Sequence, residues 1–282
     1  MKPATSATSI PLRRFRSRFL FPLGLAIISL PCHAAAENVD SELLLLVDIS
    51  RPQMTQQRFN TLMNAYADSF SSSQMIDSIQ SGHYGRIAVA MMFFGGNNLQ
   101  QLVVPWMSIG NAQDAATFGE LVTQAVRPIS LAGPNITNAL AAATNSFGTE
   151  TGAAENGYQS AVQIVEIASV RRPAGNASGV SSASDAALAK GLDVINSIAL
   201  GNASAATQAF YAANVVGSTI SGVEATATSS GFNASLQAIL GASLSETVGS
   251  GALVSNVAAV PEPASHLALL SGLVLLFIRR RA

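Results

Sequence analysis

Leu43-Leu44-Leu45-Leu46-Val47 is an unbroken apolar run that stops abruptly at Asp48-Ile49-Ser50. Successive side chains of a strand point to opposite faces, so a strand with one wet face alternates apolar and polar residues. A run without alternation belongs to a strand covered on both faces. Such strands lie at the centre of parallel sheets, and open α/β sheets place their sites at the C-terminal ends of those strands. The chain is therefore expected to build its core around residues 43–47 and to present Asp48 and Ser50 at one edge of it.

The segments that follow alternate between helical and strand patterns. Phe59, Leu62, Met63, Tyr66 and Phe70 recur at helical spacing within Gln56–Phe70, and a shorter helix is expected through Met75–Ile79. Arg86–Phe94 reads as a second buried strand, and Gln100–Trp106 as a third, broken at Pro105 and so suited to a sheet edge. Gly95-Gly96-Asn97-Asn98-Leu99 between them is a hairpin connection, which makes these two strands antiparallel neighbours. Helices are expected over 111–126, 135–147, 184–191, 205–213 and 232–244. Strands are expected over 161–168, with Glu166 its only charge, over 193–200, and within 215–223. The pattern implies a doubly wound, mostly parallel α/β sheet with one antiparallel edge strand and helices on both faces.

The two ends have a different character. Lys2, Arg13, Arg14, Arg16 and Arg18 precede an apolar run from Phe19 to Leu30 and then Ala34-Ala35-Ala36, the layout of a cleavable secretory signal spanning 1–36. The run is shorter than the roughly 20 apolar residues a spanning helix needs. Cys32 invites a lipoprotein reading, but Pro31 stands where a small residue is wanted and the alanines beyond suit ordinary cleavage. Between 37 and 260 there remain seven basic and fifteen acidic residues, a net charge of −8, and no cysteine. An acidic, lysine-poor body lacks the basic footprint that nucleic acid or an anionic membrane requires. Gly249–Val260 reads as a flexible linker.

Val260-Pro261-Glu262-Pro263-Ala264, an apolar stretch from Leu267 to Ile278 and the closing Arg279-Arg280-Arg281 resemble the PEP-CTERM sorting signal of bacteria that carry an exosortase. The resemblance implies a processing tail over 261–282, with the Sec machinery and an exosortase as partners during export and only a transient membrane anchor. The other reading of these residues is a permanent anchor with its arginines held in the cytoplasm. Destination in either case is the cell surface or the extracellular matrix.

Within the body, Leu-Leu-Leu-Leu-Val-Asp48-Ile-Ser50, Gly85-Arg86-Ile87-Ala88-Val89, Val103-Val104-Pro105-Trp106 and Phe210-Tyr211-Ala212-Ala213-Asn214-Val215-Val216-Gly217 resemble a bacterial von Willebrand factor A-like (vWA-like) family of unknown function. The likeness covers most of a domain placed at 37–248 and implies a three-layer, Rossmann-type fold. Members of the wider superfamily bind protein ligands through a divalent metal such as Mg²⁺ at the top of the sheet, in what is called a metal-ion-dependent adhesion site (MIDAS). A hard cation of this kind needs oxygen ligands converging from several loops. Here Asp48 and Ser50 keep two positions of the first loop, but Pro52 replaces its third ligand. Pro134 stands where the second loop should offer a Thr, with Asn135 and Thr137 just after it, and Val170 stands where the third should offer an Asp. A weakened metal site on Asp48 and Ser50 is one reading. A second leaves Asp48 as a residual polar group with no binding role, and a third has a guanidinium from Arg51, Arg171 or Arg172 replacing the cation through a bidentate pair with Asp48.

No nucleophile elbow, phosphate-cradling glycine loop or zinc spacing is present, and His83 is the one histidine outside the removable ends, so no enzyme is expected. The expected function is a surface or matrix adhesion module with an unknown protein or polysaccharide ligand. The alternative is a structural component of the exopolysaccharide matrix.

Overall fold

The computed structural model describes residues 35–96, 99–129, 133–173, 176–200, 204–220 and 226–228. The chain separates into two units, Met1–Ala34 and Ala35–Ala282, and every described residue lies in the second. The expected signal peptide up to residue 34, the linker, the sorting tail and the helix over 232–244 lie outside the described residues. Among those that are described, no helix is long and apolar enough to cross a membrane.

Nine strands are present among the described residues: β1 (Glu37–Asn38), β2 (Glu42–Asp48), β3 (Ile87–Phe94), β4 (Gln100–Ile109), β5 (Tyr158–Gln159), β6 (Gln163–Ser169), β7 (Val194–Ala199), β8 (Gly217–Ser218) and β9 (Thr226–Thr228). The main sheet runs in the order β4-β3-β2-β6-β7-β8, with β9 also on β7. β2 is central and parallel to both β3 and β6, β6 is parallel to β7, and β4 closes one edge antiparallel to β3. At the other edge β8 pairs antiparallel with the start of β7 and β9 parallel with its end. The doubly wound sheet with an antiparallel edge strand is therefore present. The last parallel strand is β9 rather than a strand within 215–223, where the pairing is only two residues long.

Every residue of β2 is buried, because helices cover both faces. Leu43, Leu45 and Val47 pack against α1 (Gln56–Phe70), α2 (Ser73–Gln80) and α3 (Ala112–Gln124). Leu44 and Leu46 pack against α4 (Ile136–Thr144), α5 (Ala177–Ala189) and α6 (Ser204–Asn214). Each buried leucine contributes roughly 2 kcal/mol, so this one strand anchors both layers. Helix α1 begins where Thr55 accepts a hydrogen bond from Arg58 N–H, and it buries the five apolar residues read from the spacing.

Strand β4 does not break at Pro105. It continues to Ile109 by taking up two extra residues: Met92 pairs with Leu102, Met91 with Val104 and Val89 with Met107, so one is absorbed on each side of Val104. Proline costs no ladder bond at a bulge on an edge strand. Trp106 turns its ring edge onto Phe147 at 5.2 Å and donates its indole N–H to Ser146 O at 2.8 Å, a packing role.

Candidate functional site at the C-terminal edge of the sheet

The parallel strands bring their C-terminal ends together at one edge. Asp48 ends β2 opposite Phe94, the last residue of β3, and Ile49 N–H donates to Phe94 O at 2.9 Å. Ser169 ends β6 beside it. Asp48 is fully buried: its Oδ1 accepts from Ser50 N–H at 2.9 Å, and its Oδ2 lies 2.9 Å from Ser169 Oγ. The same Ser169 Oγ lies 2.8 Å from the Arg171 carbonyl oxygen. A hydroxyl carries one proton, so an ionised Asp48 leaves one of these two contacts without a hydrogen. A protonated Asp48 donates to Ser169, which donates to Arg171 O, and both are made. Burial is the largest influence on the carboxyl and raises its pKa; Ser50, Ser169 and lastly the Arg171 charge oppose it. Tyr211 of α6 is buried nearby, its phenol pushed up by burial and then by Asp48, and it approaches Ser169 without a well-formed hydrogen bond.

The structure distributes the remaining expected site residues differently. The Ser50 hydroxyl is buried beside the Asp48 carboxyl, close enough to stabilise its charged form but outside hydrogen-bond geometry. Asn135 is the N-cap of α4: its side chain accepts from Asn138 N–H at 3.0 Å, and its own N–H donates to Gly95 O at 2.7 Å, fixing the helix start against the end of β3. Thr137 is exposed in the first turn of that helix. Arg171 donates to Gln53 Oε1 at 3.3 Å, Arg172 lies over the Phe210 ring at 4.6 Å, and Arg51 is exposed.

The bidentate arginine pair with Asp48 is not formed. Among the described residues the one ion pair joins Arg86 to Glu37 at the opposite end of the sheet. Both Asp48 oxygens already meet Ser50 and Ser169, and at full burial a guanidinium would have to be stripped of water to displace them. The arginines hold the adjoining loop instead. Arg58 donates to Gln53 O at 2.7 Å, Arg127 to Met54 O, and Arg171 to the Gln53 side chain. Arg51, Pro52, Met54, Thr55, Gln56 and Arg127 line an open depression of about 520 Å³. Burial and then the charge of Arg51 lower the Arg127 pKa.

A divalent cation does not fit the residues at this edge. Among the described residues the convergent oxygens are one carboxylate and the hydroxyls of Ser50 and Ser169, where Mg²⁺ wants six oxygens and keeps several waters. The other two loops bring the buried Pro134 and the buried Val170, neither of which has a side-chain oxygen. Among the described residues the Ser50 hydroxyl, buried without a partner, points the other way. Ser169, Tyr211, Arg58 and Arg127 belong to the edge and were not among the expected site residues. Ser169 could have been found, since it is the polar residue ending a buried apolar strand.

The proximal thread matrix protein 1 of the mussel byssus has a similar structure, at a TM-score of 0.50 and 15% identity over 75% of this chain and 49% of that one. The chain thus spans about half the length of that matrix protein, which has also been solved with a zinc-occupied MIDAS motif. A von Willebrand factor type A structure from Catenulispora acidiphila is similar at a TM-score of 0.46 and 12% identity, over 75% of this chain and 43% of that one. The pilus adhesin SpaC of Lactobacillus rhamnosus GG gives 0.46 and 10%, over 76% and 31%. At these identities the likeness is one of fold, the vWA-like α/β fold. No curated protein matches the sequence. Residues 38–247 match the family described as "Protein of unknown function (DUF1194)", and the chain belongs to that family.

Proposed function

We propose that this protein is an exported binding module of the cell surface or extracellular matrix, which meets its ligands at the C-terminal edge of the sheet without a catalytic step. The secretory layout of residues 1–36 and the sorting layout of 261–282 support export, with the Sec machinery and an exosortase as partners in that process. The observation that carries the binding role is the edge itself. Asp48 is buried and held by Ser50 and Ser169, while Arg51, Arg58 and Arg172 stand exposed around it. This is a degenerate adhesion site in which surface arginines, rather than a bound cation, supply the charge. The zinc-occupied motif of the mussel matrix protein makes a divalent cation the competing account for this edge, favoured by the unpartnered Ser50 hydroxyl.

The test is complementation of a deletion strain. Arg51→Glu with Arg171→Glu is expected to abolish retention of the strain's matrix or adhesion to its surface while the secreted protein keeps its folded circular dichroism spectrum. A purely structural matrix component would lose its effect only on deletion of the whole chain. Full retention by the folded double variant rejects the binding edge.

A further inference from the structure

We propose that copies of this protein associate head to tail, the arginine-lined C-terminal edge of one sheet seating on the acidic N-terminal end of the next. The proposal rests on the binding edge described above and names a second copy as its occupant.

A parallel sheet has two distinct ends, and this chain sorts its charges between them. Arg51, Arg58, Arg127, Arg171 and Arg172, five of the body's seven basic residues, lie at the C-terminal edge. The one described carboxyl there is that of Asp48, which is fully buried. The opposite end collects acids on the segments that lead into the strands. Asp40 accepts from Tyr84 and Arg86 N–H, Asp114 from Gly110 N–H after β4, and Asp193 from Gln163 N–H at the start of β6. Glu37, Glu150 and Glu155 lie beside them before β2 and β5, and Asp77 is exposed on α2. Of the two basic residues at that end, Arg86 is paired with Glu37, while Lys190 donates to the neutral Asn145 amide and is an exposed charge that opposes the acids there.

Helix direction adds to the separation. α1, α4, α5 and α6 all start at the basic edge, and none has an acidic residue in its first turn. α3 starts at the other end and carries Asp114 in its first turn. Helix N-termini bear partial positive charge, so the four uncompensated ones reinforce the arginines. A net charge of −8 on the body holds copies apart in most orientations. Head to tail is the orientation that sets opposite charges against each other, and side by side sets like against like. The depression lined by Arg51, Thr55, Gln56 and Arg127 is open enough to admit a carboxylate side chain, and Arg127 Nε is buried there without a partner. Two different surfaces meet in such a contact, which builds a ring where its rotation closes and an open chain where it does not.

Sedimentation velocity of the purified full chain tests this. At about 20 mM salt the weight-average sedimentation coefficient is expected to rise with protein concentration, and at about 500 mM salt, where the charges are screened, to fall to the monomer value. Arg51→Glu/Arg58→Glu reverses two exposed basic residues, and Asp77→Lys/Glu155→Lys two exposed acidic ones. Each double variant alone is expected to associate at least about tenfold more weakly, a change of about 1.4 kcal/mol, and an equimolar mixture of the two to recover association, because the unaltered basic edge of the second meets the unaltered acidic end of the first. A wild type that stays monomeric at low salt, or association that neither the reversals nor salt weakens, overturns the proposal. Loss of matrix retention by Arg51→Glu/Arg171→Glu beside a wild type that is monomeric in the centrifuge overturns this proposal and leaves the binding edge standing.

Discussion

Ser169 Oγ lies 2.9 Å from Asp48 Oδ2, so the last residues of two neighbouring parallel strands close on each other across the end of the sheet. With the Arg171 carbonyl 2.8 Å beyond, the three groups form a chain whose hydrogens are all accounted for when Asp48 is neutral. Asp48→Asn preserves that chain, because an amide N–H can donate to Ser169 and the amide oxygen can accept from Ser50 N–H. The expected cost in urea denaturation is under about 1 kcal/mol, against about 2 kcal/mol or more for Asp48→Ala, which leaves the buried Ser50 N–H without its partner and Ser169 with the Arg171 carbonyl alone. Equal, large losses in both variants would mean that the carboxylate charge itself holds the edge.

Glu42 makes stability depend on pH at the other end of the sheet. It is fully buried, and burial pushes its carboxyl up to about 7; the hydrogen bond from Asn156 opposes this, the charge of Glu150 adds to it, and Ser160 opposes it. The unfolded chain ionises at the ordinary value of 4.5 and the native one only near 7, so the native state is disfavoured progressively as pH rises through that window and by a constant amount above it. The sign is that of a raised acid: its contribution is most favourable below 4.5 and is lost by pH 7. Glu42→Gln is expected to be more stable than wild type at pH 8 by up to about 3 kcal/mol, with the difference vanishing towards pH 4. Urea midpoints of the two proteins at pH 4.5, 6 and 8 check it, and parallel pH profiles would refute it.

Glu166 is a second buried acid in the middle of the core. It stands in register with Leu45 and Asn196 on the α1 face of the sheet, near Tyr66, and neither of its oxygens has a hydrogen-bond partner. Burial alone holds its pKa well above the carboxylate range. Replacing it by leucine removes a desolvated polar group at similar volume and is expected to raise stability at pH 8 by about 1–3 kcal/mol, measured by thermal or urea unfolding. A destabilised Glu166→Leu would show that this carboxyl has a partner essential to the core.

The readable parts of the fold were those with strong periodicity. Helix α1 was legible to the residue because Thr55 caps it and its five apolar residues keep one face. α5 was read as 184–191 but spans Ala177–Ala189, since Ala-Ser-Gly-Val-Ser-Ser-Ala shows no apolar stripe and packs by small side chains. Its start is marked by Asn176, which accepts from Gly179 N–H at 2.8 Å; Asn176 and Asn135, both in Asn-x-Ser/Thr triplets, serve as helix caps. The paired strands β1 and β5 and the three-residue β9 are too short to leave a pattern. At the site, Asp48 was legible because it ends the apolar run. Ser169 is less clearly marked, because the vWA resemblance puts Val170, one residue along, at the ligand position, and the helix that holds Tyr211 reads only as packing.

The most direct test of the edge as a site that works without a cation is thermal unfolding of the purified protein in EDTA, then with millimolar Mg²⁺, Mn²⁺ or Ca²⁺, beside Asp48→Ala. An ion that binds only the native state stabilises it by about 2.7 kcal/mol at a hundred times its dissociation constant. The same midpoint is expected under all four conditions for the wild type. A metal-dependent rise that disappears in Asp48→Ala would contradict it and return Asp48, Ser50 and Ser169 to the role of cation ligands.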